Sequence, residues 1–168
     1  MSVIKTSIIA DGESVTQAIA AALAQQCKLG DCLLLEGDLG AGKTAFARGF
    51  IKQLCPTEEV VSPTFNLVQH YRTLAQLPIY HYDLYRLRHA QELMELGLDE
   101  ALTEGITLIE WPQLARPYLP PEALTIQIRS ASQPQERYID LIASDNWQLR
   151  LASVIPLFQD EAHAKRAN

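Results

Sequence analysis

The chain has 168 residues, 48% of them hydrophobic, with 14 Lys and Arg set against 20 Asp and Glu. That length fits one domain with a full core, expected over residues 1–156, and leaves 157–168 as a polar, frayed tail. A net charge of −6 argues against direct grip on a DNA or RNA backbone, which takes clustered Lys and Arg, so any nucleic-acid role is expected to run through a partner protein.

No apolar run approaches the roughly 20 residues of a membrane helix. Met1–Lys5 is not built like a signal peptide, and the three cysteines, Cys27, Cys32 and Cys55, form no C-x-x-C. Reduced thiols in a cytoplasm are the expectation.

In chain order, residues 3–9 read as a strand. Ser14-Val15-Thr16-Gln17 fits a capping box, and Val15, Ala18, Ile19, Ala22 and Leu23 then line one face of a helix. Cys32-Leu33-Leu34-Leu35 is the short apolar run of a buried strand.

That strand feeds Gly37-Asp38-Leu39-Gly40-Ala41-Gly42-Lys43-Thr44, a complete G-x-x-x-x-G-K-[ST] phosphate loop. Glycines let backbone N–H groups turn around a nucleotide's phosphates, Lys43 brings a charge to the β- and γ-phosphates, and Thr44 offers Mg²⁺ a hard oxygen. Phe46, Phe50 and Leu54 then recur at helical spacing until Pro56.

Ser62-Pro63-Thr64-Phe65 is expected as an extended or turn segment, followed by strands over 66–72 and 79–85 around a turn near Pro78. Arg86, Arg88 and His89 are the only local basic cluster and read as a solvated face. Residues 90–96 read as a helix closed by Gly97. Ile106–Ile109 reads as a buried strand ending at Glu110, and 124–129 with 137–142 as an antiparallel pair. The sum is an α/β three-layer sandwich of the phosphate-loop NTPase kind, its mixed sheet flanked by helices, with Gly37 and Glu110 at strand ends where such sheets collect ligands.

Hydrolysis needs metal support and a positioned water. Glu110 is either a Mg²⁺-holding acid or an ordinary strand-end acid. Asp83, within His81-Tyr82-Asp83-Leu84-Tyr85-Arg86, is either functional or paired with Arg86. Thr64 is either part of a segment that swings onto the γ-phosphate or a turn threonine. Trp111 either shields the site or packs, and His81 reads as structural rather than as a base. No G-x-S-x-G, H-E-x-x-H or cysteine–histidine ligand spacing is present, so triad and zinc readings have no support.

Glu36–Thr44, Ser62-Pro63-Thr64-Phe65, His81-Tyr82-Asp83-Leu84-Tyr85-Arg86 and Ile109-Glu110-Trp111-Pro112 together resemble the bacterial TsaE (YjeE) family over about residues 10–145. These are the ATPases required for threonylcarbamoyladenosine modification of tRNA. The resemblance implies ATP and ADP as ligands, Mg²⁺ held by Thr44 and Glu110, Asp83 acting in hydrolysis, and a switch-like Ser62–Phe65 segment. It places Thr16 and Arg137 near the nucleotide. It also implies a helper that binds the TsaD–TsaB heterodimer and does not carry the threonylcarbamoyl group itself.

Two rivals stand beside it: a small-molecule kinase, against which no arginine-rich lid is apparent, and a nucleotide-responsive binding module with negligible hydrolysis. A GTPase is disfavoured by the lack of an [NT]-K-x-D element.

Overall fold

Seven strands in one mixed sheet organise the computed structural model, which describes residues 2–159. In chain order they are β1 (Ile4–Asp11), β2 (Cys32–Glu36), β3 (Val68–Arg72), β4 (Pro78–Asp83), β5 (Ile106–Glu110), β6 (Leu124–Ser130) and β7 (Glu136–Ala143). The spatial order is β1-β7-β6-β2-β5-β4-β3. The central β6-β2-β5-β4 stretch is parallel, and the pairs at its edges, β1 with β7, β7 with β6 and β4 with β3, are antiparallel.

Alternation along the strands sorts side chains into two layers. Leu33, Leu35, Ile79, Ile106 and Leu108 face helices α1 (Glu13–Ala24) and α2 (Lys43–Leu54), whose Ile19, Leu23, Phe46 and Phe50 complete that core. Cys32, Leu34, Tyr82 and Ile109 face the other way, onto α3 (Glu92–Glu95) and α4 (Leu98–Glu104) through Leu93, Leu98 and Ala101. The three-layer α/β sandwich is therefore present.

Gly49 on α2 brings the first layer's two helices close: a Cβ there would lie 2.6 Å from Gln17 Cα. A fifth helix, α5 (Gln148–Ala152), is anchored by fully buried Trp147, whose Nε1 donates to Glu122 O at 2.9 Å, and by Arg150, which pairs with Asp31 and lies 3.6 Å from the Trp147 ring centroid.

Several local expectations need correction. Ser14 is not the cap of α1. Gly12, at φ 92°, turns the chain out of β1, and its carbonyl accepts the Thr16 N–H at 3.2 Å, so Ser14 lies inside the first turn. The Gln17 side chain reaches Glu13 rather than a cap, and the buried stripe is Thr16, Ile19, Ala20, Leu23 and Ala24, with Ala18 exposed. β4 ends at Asp83, not 85, because the Asp83 carboxylate accepts the Tyr85 N–H and turns the chain. β3 begins at Val68 because Leu67 has φ 63°, outside strand geometry.

Gly97, left-handed at φ 69°, closes α3 and at the same time opens α4, a helix with no expectation behind it. Of the expected tail, 160–168 lie outside the described residues, while 157–159 are helical and Phe158 packs on the core.

Candidate functional site

Parallel pairing of β4 with β5 sets Asp83 opposite Glu110, and alternation turns His81, Asp83 and Glu110 toward α2. α2 begins at Lys43, directly after the glycine loop that leaves β2. The phosphate loop and the two acids are thus brought to one end of the sheet by three adjacent strands.

Gly37 fixes the loop's exit. Its φ is 150°, and a Cβ would meet Ile128 O at 2.5 Å, so only glycine passes between β6 and the loop. The first helical bond of α2 runs from Phe46 N–H to Gly42 O at 2.9 Å. The N–H groups of Lys43, Thr44 and Ala45 precede it, at the electropositive end of the helix.

Lys43 is buried, and its ammonium donates to Gly37 O at 2.6 Å and Asp38 O at 2.8 Å, with the Trp111 ring face 4.1 Å away. Burial pushes its pKa below 10.5, against the pull of Glu110, Asp83 and Asp38. Trp111 holds a left-handed backbone, φ 57°, costly for a bulky residue, and its ring centroid sits 4.8 Å from that of Tyr85. Backbone strain here presents an aromatic face to the loop lysine.

Thr44 Oγ1 donates to Glu110 Oε1 at 2.9 Å, and Glu110 is only 2% exposed. A hydroxyl and a carboxylate together beside a phosphate loop suit Mg²⁺, which takes few protein oxygens and completes its shell with phosphate and water. Among the described residues no group of three or more His, Cys, Asp and Glu offers a closed cage for a metal. The residues present therefore fit Mg²⁺ delivered with a phosphate ligand.

Asp83 is half-buried. Burial raises its pKa above 3.8 and the Glu110 charge adds to this, against the Tyr85 N–H and Lys43. Arg86 does not serve as its partner but lies over the Phe65 ring, 5.2 Å from the centroid. Thr64 shares a 2.7 Å hydrogen bond with Ser62. These groups meet around one cavity of about 380 Å³, lined among others by Lys43, Thr44, Thr64, Asp83, Glu110 and Trp111. A second hollow of about 420 Å³ lies behind the loop, between Gly37–Ala41 and residues 127–130.

Two residues expected near the nucleotide stand apart from the first cavity. The Thr16 hydroxyl turns back to Gly12 O at 3.4 Å inside its own helix. Arg137 braces the loop from outside, Nε donating to Ala41 O at 3.1 Å. The Lys43–Trp111 contact, the Tyr85–Trp111 pair and the His81–Glu110 pair had no sequence signal beyond the aromatic crowding around Asp83.

The fold and loop define a phosphate-loop α/β protein of the NTPase type. A family model, Threonylcarbamoyl adenosine biosynthesis protein TsaE, matches residues 10–139. The tRNA threonylcarbamoyladenosine biosynthesis protein TsaE of Rickettsia felis is 38% identical over 162 residues, covering 95% of this chain and 94% of its own length. The Bacillus subtilis protein of the same name is 46% identical over 132 residues, 78% of this chain and 81% of its own. A crystal structure of Bacillus subtilis YdiB superposes with a TM-score of 0.77 at 34% identity, covering 93% of this chain and 97% of that one. The chain belongs to the TsaE family.

Proposed function

We propose that the chain is a Mg²⁺-dependent ATPase serving tRNA N6-threonylcarbamoyladenosine formation in the cytoplasm, and that it acts on a TsaD–TsaB complex without carrying the threonylcarbamoyl group. The observation behind this is the meeting of Lys43 and Thr44, at the start of α2, with Glu110 and Asp83 at the ends of neighbouring strands. An acidic chain of net charge −6 leaves tRNA contact to the partner.

The loop N–H groups and Lys43 take the phosphates, and Lys43 exchanges the Gly37 and Asp38 carbonyls for phosphate oxygens. Thr44 and Glu110 are the residues that hold Mg²⁺. When bound, Mg²⁺ neutralises charge on the β- and γ-phosphate oxygens.

Asp83 orients the attacking water. The water oxygen bonds to the γ-phosphorus, the bond to the β–γ bridging oxygen breaks, and the water's proton passes to the Asp83 carboxylate. A pKa raised by burial makes that carboxylate a better acceptor than an exposed one. Thr64 and its segment cover the γ-phosphate side, and Trp111 keeps water off Lys43.

Phosphate release tests the reading. It should be slow for the chain alone, rise when TsaD and TsaB are added, with modified tRNA forming in parallel, and vanish in Lys43→Ala. Equal rates with and without partners, and modification over many cycles without this chain, would refute the helper role.

A further inference from the structure

Among the described residues His81 has one polar contact, and it is to the acid of the site. Its Nε2 lies 2.7 Å from Glu110 Oε2, with His81 0% and Glu110 2% exposed. Nδ1 is buried and has no hydrogen-bond partner among the described residues. The ring does not line the cavity, so it does not meet a ligand there.

Glu110 spends its other oxygen on Thr44. A carboxylate accepting at both oxygens requires that Nε2 carry a proton and donate it to Oε2. A ring placed for packing alone would not need a buried acid, since apolar side chains of like volume replace such pairs at little or no loss.

Without His81, Oε2 would lose its hydrogen-bond partner and the carboxylate would be free to turn about its terminal torsion, which is broad and not held by a rotamer well. Register explains why this histidine does it: two residues before Asp83 on the same face of β4, it lies beneath the strand end that carries Glu110.

We propose that His81 is a positioning residue, fixing the Glu110 carboxylate so that Oε1 stays on Thr44 and faces the phosphate loop as a cation ligand. The inference rests on the Mg²⁺ reading given above. Partners behind metal-holding groups change metal affinity by about 10–100-fold when removed, and the same range is expected here.

The test compares His81→Gln, whose amide nitrogen reaches the Nε2 position, with His81→Asn, whose amide stops at Nδ1. Binding of the ATP analogue AMP-PNP is titrated with Mg²⁺ and, separately, in EDTA. Gln should keep the wild-type Mg²⁺ midpoint within a few fold, Asn should raise it by about 10-fold or more, and the EDTA affinities should agree. Equal midpoints in wild type, Gln and Asn overturn the positioning role while leaving Mg²⁺ binding intact. A wild type indifferent to Mg²⁺ overturns the metal reading and this inference with it.

Should neither variant fold, nitrogen NMR of the native protein decides. A proton on Nε2 of His81 is expected, and a bare Nε2 overturns the proposal.

Discussion

Two aspartates on the same sheet, one buried and one half-buried, have opposite fates. Asp140, on β7, is 0% exposed and fully answered: Arg129 donates to both its oxygens at 2.8 and 3.0 Å, the Ser7 hydroxyl donates as well, and Lys5 lies 3.8 Å away. Burial by itself would raise its pKa, but these partners outweigh burial and hold it below 3.8. Asp83, at the loop end, has one backbone N–H, a neighbouring acid and a raised pKa. One region uses its buried charge to stabilise the fold. The other leaves charge unanswered where a nucleotide and its cation would answer it.

The sharpest way to break that contrast is Asp83→Asn. Hydrolysis should fall by about 10²-fold or more, since the proton acceptor is lost, while AMP-PNP affinity stays near wild type. Stability should move the other way. A carboxyl whose pKa is raised on folding loses stability as pH climbs from 3.8 through the folded value, so at pH 7 the Asn variant should melt at or above wild type. Near pH 3 the two should converge. A variant that melts lower at pH 7 would make Asp83 a structural acid.

A smaller effect, of opposite sign, is expected from Arg129→Ala. Asp140 is depressed on folding, so its contribution is present above 3.8 and is lost as pH falls through the folded pKa. Urea midpoints should show a deficit at pH 7 that closes under acid, with phosphate release unchanged. A deficit independent of pH would mean that Arg129 matters through packing on Tyr138, whose ring centroid is 5.1 Å away.

Sequence reading reached what short-range rules govern. The G-x-x-x-x-G-K-T run, the apolar Cys32–Leu35 strand and the Ile106–Ile109 strand ending at Glu110 each follow from neighbours in the chain. What it missed is made by distance. His81 and Glu110 are 29 residues apart and meet only through β4–β5 register. Lys43 meets Trp111 because a left-handed turn follows β5, and no spacing encodes that.

Helix α4 was hidden because Gly97 reads as an ending, whereas in the fold it both ends one helix and begins the next. The capping box at Ser14 lost to Gly12, whose positive φ sets the corner between β1 and α1.

We propose that the loop end gives up stability to hold a nucleotide with its cation. Thermal melting at pH 7 tests it most directly, with AMP-PNP in EDTA and then with Mg²⁺ added, for wild type and Glu110→Ala. Ligand at about 100 times its dissociation constant stabilises by about 2.7 kcal/mol. Wild type should therefore rise with AMP-PNP and rise again with Mg²⁺, while Glu110→Ala keeps the first step and loses the second. A second step of equal size in both proteins would contradict the account, and so would a wild type that does not respond to nucleotide at all.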